Sequence, residues 1–192
     1  MLPNGRRLTS YCSIAELQKR FAAMHVRYLD GIIQQVAEAA TAQHEMGRYA
    51  TIRNIQQHME LRTLTIGVYP AITLCEYAGG VKLPEHVFQH PSLQECMHIS
   101  SELVSFVNDV VSFKKDQALG MADFNIVSLI KAQGTLTTQD AMDVVGEMVR
   151  ECNRRWYRAL AELPVYGAEI DREVLHFVDV CRDVALGNLH WR

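Results

Sequence analysis

Three oxygen-bearing side chains recur at helical spacing in one stretch of the chain. Asn108, Ser112 and Asp116 are each four residues apart, so on an α-helix they lie within about 80° of one another along one face. The flanking residues are mostly apolar, which predicts that much of this helix is buried. Burying an unpaired polar group costs about 1–3 kcal/mol, so the three oxygens need partners. One Mg²⁺ ion, which prefers oxygen ligands and accepts phosphate oxygens beside them, would satisfy all three.

Two cationic side chains accompany these oxygens. Lys115 precedes Asp116 on the same side of the helix, where an ammonium group suits an anionic phosphate. Arg62 lies 46 residues before Asn108, and its planar guanidinium can hold two oxygens of a diphosphate together. Gly67 follows shortly, so a helix break is expected near residues 65 to 70, where exposed carbonyls could stabilise positive charge.

Helical segments must position these residues. Apolar residues recur at three- and four-residue steps, and no alternating pattern is long enough to indicate a sheet. We therefore predict an all-α fold, an antiparallel helical bundle forming a single domain over residues 1–192. The predicted segments run from Ser13 to Ala39, from about Tyr49 to Ala78 with the break inside, from just after Pro91 to about Ala118, from Asn125 to Ala132, from Thr137 or Thr138 to Leu163, and from near Ile170 to the end.

Composition narrows the function classes. The chain has 192 residues, 48% of them hydrophobic, and a formal net charge of −3, which gives no electrostatic reason to expect nucleic acid or an anionic membrane as partner. No apolar run is long enough for a membrane span or a secretory signal. The five cysteines form no CxxC pair, which favours a reducing compartment, the cytoplasm. His86 and His90 are interpreted as loop residues rather than a zinc site.

The stretch Asn108-Asp-Val-Val-Ser112-Phe-Lys-Lys115-Asp116-Gln resembles the second metal-binding motif of class I terpene synthases, particularly fungal sesquiterpene synthases. That motif is (Asn/Asp)-Asp-x-x-Ser-x-x-x-Glu. The resemblance implies that Asn108, Ser112 and Asp116 ligate Mg²⁺ and that Lys115 contacts the substrate diphosphate. Asp116 departs from the pattern by one methylene, since Glu is usual at that position.

A second segment, Arg62-Thr-Leu-Thr65-Ile66-Gly67, resembles the Arg-x-x-Thr-x-Gly segment of the same family, and its distance from Asn108 is about the family's spacing. The resemblance implies that Arg62 is the diphosphate sensor and that Thr65 and Ile66 take the linker and effector places. In the family, the effector carbonyl faces the substrate cation. These residues form the predicted catalytic set.

Two elements of the family are absent from this chain. It contains no Asp-Asp pair, and Trp191-Arg192 is not followed by the expected Arg-Tyr. The family binds a cluster of three Mg²⁺ ions, and the ligands for the other ions belong to the aspartate-rich motif. The chain therefore resembles the second half of a terpene synthase. We expect a residual affinity for Mg²⁺ and diphosphate at most, with little or no turnover.

Three functions follow as hypotheses. The first is a terpene synthase-type lyase that ionises an allylic isoprenyl diphosphate, with farnesyl diphosphate as the favoured substrate. The second is a non-catalytic helical remnant or protein-interaction module, which predicts self-association through an exposed apolar surface. The third is a prenyl-chain-elongating synthase, which is disfavoured because it would need two aspartate-rich motifs.

Overall fold

The computed structural model describes residues 54–120 and 122–190, together with Ala37, Ala40 and Thr41 of an earlier helix. Over these ranges the chain forms helices joined by short loops and contains no β-strand. The predicted all-α class is therefore confirmed. The predicted segment from Ser13 to Ala39 lies outside the described residues apart from Ala37, as does the terminal pair Trp191-Arg192.

The helices of residues 54–190 follow one another with short connections. They are α1 (Ile55–Thr65), α2 (Val68–Gly79), α3 (Glu85–Phe88), α4 (Pro91–Ala118), α5 (Ile126–Gly134), α6 (Thr138–Ala161) and α7 (Ala168–His190), with a 3₁₀ turn (Ala122–Phe124) before α5. The predicted end of α4 at Ala118 is confirmed, and its start differs from the prediction only in that Pro91 itself belongs to the helix.

Local sequence signals explain where several helices begin. Asn54 Oδ1 accepts a hydrogen bond from the amide of Gln57 at 2.8 Å and caps α1. Thr137 and Asp140 form a reciprocal capping box at the start of α6, which pairs two amides that would otherwise lack partners. Pro91 occupies the first turn of α4, where its missing amide costs nothing.

The predicted break in the second helical segment separates α1 from α2. Ile66 caps α1, and Gly67 follows with φ of +81°, a left-handed conformation that glycine adopts with little strain. The chain then re-enters helical geometry at Val68. The break therefore lies four residues after Arg62 and immediately after Thr65.

The short helix α3 was not predicted. His86 lies inside α3, so its interpretation as a loop residue is wrong, whereas His90 precedes α4 and its Nδ1 accepts from the amide of Ser92. A four-residue helix is too short to show a 3.6-residue period, which explains the error. Pro84 caps its start.

The core is built around α4, which contributes to both hydrophobic clusters. Its N-terminal half packs with α2, α7 and the end of α6, and its C-terminal half packs with α1, α5 and the beginning of α6. This order shows that α4 and α6 run antiparallel. Phe106 and Phe113 are buried, and much of α4 is buried as predicted, whereas Val111 is 58% exposed.

Among the described helices, none combines the length and apolar character that crossing a bilayer would require.

Candidate functional site

Asn108, Ser112 and Asp116, called here the oxygen strip, lie along one side of α4 as the sequence predicts. Ser112 Oγ donates to Asp116 Oδ2 at 2.5 Å, and Asn108 Oδ1 accepts from Arg62 Nη2 at 3.0 Å. Ser112 is buried, whereas Asn108 and Asp116 are half-buried. The structure thus places the oxygen strip beside the predicted diphosphate-binding arginine of α1.

Arg62 is held mainly by a carboxylate that the sequence analysis did not assign. Its Nη2 lies 2.6 Å from Asp109 Oδ1, and its Nε donates to the same oxygen at 3.1 Å. The Arg62 side chain is 23% exposed. Within the described residues, Nη1 has no hydrogen-bond partner, so two of the five guanidinium donors stay available.

Asp109 is fully buried and ties three parts of the chain together. Besides binding Arg62, its Oδ2 accepts from the amide of Ile126 at 2.9 Å and lies 3.4 Å from His58 Nε2. Burial by itself raises the pKa of this carboxyl, but His58, the charge of Arg62 and the Ile126 amide together hold the pKa below its usual range. Asp109 is therefore a buried carboxylate whose negative charge is paired with Arg62.

A sequence signal for Asp109 was available. The residue interrupts an apolar run of valines, and buried acids are rare unless they are paired. Its partners come from elsewhere, however: Arg62 is 47 residues away and Ile126 is 17 residues away. Helical periodicity alone does not identify such partners.

Asn125, which precedes α5, is a second residue that the sequence analysis did not assign to the site. Its Nδ2 donates to the Asp109 carbonyl oxygen at 2.7 Å and to Asp116 Oδ2 at 2.9 Å. Its Oδ1 accepts from the Val127 amide at 3.0 Å and caps α5. Asn125 is fully buried, so its side chain connects α4 to the start of α5 from the interior.

The predicted linker and effector residues lie at the break between α1 and α2. Thr65 is exposed, and its hydroxyl donates back to the Leu61 carbonyl at 3.1 Å. The Ile66 carbonyl cannot receive the usual hydrogen bond from four residues later, because Pro70 has no amide hydrogen. Within the described part of the chain, no other backbone amide donates to it. The oxygen of Ile66 is thus left with unused acceptor capacity.

Lys115 lies at the exposed C-terminal end of α4. The ion pairs found among the described residues do not include it. The structure therefore brings Arg62 to the oxygen strip, while the Lys115 ammonium remains in solvent.

The donor set fits a hard cation. Residues 54–120 and 122–190 contain no group of three His, Cys, Asp or Glu side chains arranged to hold a metal. The oxygen strip instead supplies an amide oxygen, a hydroxyl and one carboxylate, all suitable for Mg²⁺. Asp116 Oδ2 already accepts from Ser112 and Asn125, and Oδ1 accepts from neither. Because the oxygen strip contributes one negative charge, that of Asp116, phosphate oxygens can serve as further ligands of the ion.

The chain matches known proteins over most of its length. Residues 5–155 match the family model described as terpene synthase family 2, C-terminal metal binding. Terpene cyclase 4 of Gibberella fujikuroi is 42% identical over 179 residues, which cover 93% of this chain and 46% of the relative. The (+)-eremophilene synthase of the same organism is 40% identical over 176 residues, covering 92% and 47%. The chain thus spans about half the length of these relatives.

The fold is similar to that of solved structures as well. A crystal structure of α-eudesmol synthase superposes with a TM-score of 0.67 at 21% identity, over 94% of this chain and 56% of that one. At this identity the likeness concerns the fold, which is the all-α fold predicted from the sequence. The family model and the two fungal relatives carry the assignment further: the chain belongs to the class I terpene synthase family.

Proposed function

We propose that this chain supplies the Mg²⁺- and diphosphate-binding part of a lyase that ionises an allylic isoprenyl diphosphate, with farnesyl diphosphate as the favoured substrate. The observation that carries the proposal is the contact of Arg62 Nη2 with Asn108 Oδ1 at 3.0 Å. It brings a phosphate-binding group from α1 to the oxygen strip of α4. The matches to fungal terpene synthases support the reaction class.

Each residue has a physical role in this proposal. Asn108, Ser112 and Asp116 would hold Mg²⁺, which when bound neutralises charge on the diphosphate as the carbon–oxygen bond breaks. Arg62 would bind diphosphate oxygens through its free Nη1 donors, while Asp109 fixes the plane of the guanidinium. A donor held in place before the reaction stabilises the developing negative charge without reorganisation.

The helix break would act on the other product of ionisation, the allylic cation. The Ile66 carbonyl carries the negative end of a peptide dipole, and Pro70 leaves it without its helical donor. The Thr65 hydroxyl donates a hydrogen bond to the Leu61 carbonyl of its own helix. This bond would stabilise the end of α1, in keeping with the linker role. Lys115 would reach the diphosphate from the exposed end of α4.

The whole reaction also needs ligands for the remaining metal ions of the family's cluster, and these side chains are not in this sequence. We therefore propose that the chain binds diphosphate together with Mg²⁺ and turns over little substrate by itself. The free thiols of Cys96, Cys152 and Cys181, all buried, support a reducing compartment, the cytoplasm.

Isothermal titration calorimetry tests the binding proposal. Inorganic diphosphate is titrated into the full chain with and without Mg²⁺, using Asp116→Ala and Arg62→Ala as site variants. Asp143→Ala, which removes an exposed carboxylate of α6, is the matched control. We expect Mg²⁺-dependent binding that each site variant weakens about 10-fold or more. Binding that is independent of Mg²⁺, or unchanged in both site variants, would overturn the proposal.

A product assay addresses turnover separately. The chain is incubated with farnesyl diphosphate and Mg²⁺, and the extract is examined by gas chromatography–mass spectrometry. Little or no terpene is expected. A terpene that forms with the wild-type chain and disappears with Asp116→Ala would show that one metal motif suffices and would refute the expectation of low turnover.

A further inference from the structure

We infer that Asn125 is the positioning residue that sets the metal-binding geometry of Asp116. This inference rests on the proposed Mg²⁺ site and extends it to a side chain outside α4. The Nδ2 atom of Asn125 lies 2.9 Å from Asp116 Oδ2 and 2.7 Å from the Asp109 carbonyl oxygen. One amide group therefore holds the predicted ligand and the backbone of the preceding turns together.

The two carboxylate oxygens of Asp116 have different roles. Oδ2 accepts from Asn125 Nδ2 and from Ser112 Oγ, so its lone pairs are engaged. Oδ1 accepts from neither donor and can bind a cation. A carboxylate held in this way has a fixed plane, and a metal ligand whose orientation is fixed by its neighbours loses less conformational entropy on binding.

The length of the acidic side chain makes this support more important. Aspartate is one methylene shorter than the glutamate usual at this position, so its carboxylate lies closer to the helix backbone and can reach fewer places. Asn125 approaches from the turn before α5, and it is completely buried. A buried donor in a fixed position can hold a short carboxylate in one orientation where a surface donor would not.

Burial also sets the orientation of Asn125 itself. Its Oδ1 accepts from the Val127 amide at 3.0 Å, which caps α5, so the amide cannot rotate without losing that bond. The Nδ2 atom must then point towards α4. The cap of α5 and the orientation of Asp116 are thus coupled through a single side chain.

The test separates capping from positioning. Asn125→Ser and Asn54→Ser each replace an asparagine cap by serine, which caps a helix about as well. Of these two asparagines, only Asn125 donates to Asp116, and a serine hydroxyl would end one atom short of Nδ2. Each variant of the full chain is titrated with Mg²⁺ at saturating inorganic diphosphate by calorimetry, and thermal unfolding is measured in parallel.

We expect the Mg²⁺ affinity of Asn125→Ser to fall about 10-fold, while Asn54→Ser keeps the wild-type affinity. In an Asp116→Ala background, Asn125→Ser should cause no additional loss, because the two residues act through the same ligand. If Asn125→Ser fails to fold, Asn125→Thr, which also retains a cap oxygen, is expected to show the same 10-fold loss.

Two outcomes would overturn this inference and leave the proposed function standing. One is an Mg²⁺ affinity of Asn125→Ser within twofold of wild type, and the other is an equal loss in the Asp116→Ala background. A wild-type chain that binds no Mg²⁺ in the presence of diphosphate would instead refute the proposed function, and this inference with it.

Discussion

A buried carboxylate organises the candidate site at the level of single residues. Asp109 bonds the guanidinium of Arg62 and the amide of Ile126, so it joins α1, α4 and the start of α5. Because its side chain is almost without solvent contact, water cannot replace a lost partner. Asp109 therefore matters for stability as well as for the orientation of Arg62.

Removing this carboxylate should destabilise the fold. We expect Asp109→Ala to lower the free energy of unfolding by about 3 kcal/mol, because Arg62 and the Ile126 amide would lose a buried partner. Urea denaturation followed by circular dichroism measures the change. Asp143→Ala, at an exposed position of α6, should change the stability by less than about 0.5 kcal/mol. Equal effects of the two substitutions would contradict the structural role of Asp109.

The low pKa of Asp109 also predicts a dependence of stability on pH. Despite the opposing effect of burial, His58, Arg62 and the Ile126 amide hold the folded-state pKa below the ordinary value of 3.8. The ionised carboxylate therefore contributes stability that is complete above that value and is lost as the pH falls through the folded-state pKa. The stability difference between wild type and Asp109→Asn should shrink as the pH is lowered below about 4. A difference that stays constant from pH 6 to pH 2.5 would refute the assignment.

Sequence reasoning predicted the candidate residues that share one face of α4 and the arginine that stands in a recognisable motif, and it missed two residues whose roles depend on contacts between distant parts of the chain. The oxygen strip was predictable because four-residue spacing places side chains on one helical face. Arg62 was found through its motif. Asp109 and Asn125 were missed because their roles depend on partners brought together by the fold, and Asn125 reaches Asp116 only because the chain turns back before α5.

The helix break follows immediately after the predicted effector residue Ile66, one turn beyond the predicted sensor arginine. Gly67 has φ of +81°, and among the described residues other than its chain neighbours no atom lies within 4 Å of the place where a Cβ would stand. Substitution there would thus be opposed by backbone strain alone. The last turn of α1 holds Ile66 one turn beyond Arg62, whose carbonyl accepts from the Ile66 amide at 2.9 Å.

Two glycine substitutions test this conformation with opposite expected signs. Gly67→Ala should lower the free energy of unfolding by about 1 kcal/mol, because an L-residue is strained at positive φ. Gly146→Ala, inside α6 and also without neighbours within 4 Å of its Cβ position, should raise it by about 1 kcal/mol through helix propensity. Thermal and urea unfolding measure both changes. Stabilisation by Gly67→Ala would show that the break is not held in this conformation.

Most helix boundaries were predictable because caps, prolines and glycines are local signals. α4 ends at Ala118 as predicted and begins at Pro91, one residue earlier than predicted, and α6 begins with the Thr137 cap. α7 begins at Ala168 rather than near Ile170, a difference within the usual uncertainty of helix ends. α3 was missed because its four residues are too few to reveal a period.

At the scale of the whole molecule, the two hydrophobic clusters are linked through α4 and through Trp156, which packs against both. This continuity supports our proposal that the chain forms one helical domain, part of a larger terpene synthase fold. Several large apolar side chains nevertheless remain exposed, among them Val111 at 58% and Leu119 at 64%. Exposed apolar surface of this kind favours association between molecules.

Self-association is therefore the expected behaviour of the isolated chain. Sedimentation velocity over a range of protein concentrations should show an average mass that rises with concentration. The double variant Val111→Gln, Leu119→Gln should reduce this rise, because it replaces exposed apolar side chains of α4 and its C-cap by polar ones. Asp143→Ala, at an exposed position of α6, removes no apolar side chain; it is the control and should leave the rise unchanged. A monomer at all concentrations would contradict the prediction.

A crystal structure of the chain grown with MgCl₂ and inorganic diphosphate would test the proposed metal site directly. We expect one Mg²⁺ ion ligated by oxygens of Asn108, Ser112 and Asp116 at about 2.1 Å. Diphosphate oxygens should complete its coordination, and the Nη1 atom of Arg62 should contact the same diphosphate. A diphosphate bound without a metal at the oxygen strip, or a metal ligated elsewhere while these three side chains keep their present contacts, would refute the proposed site.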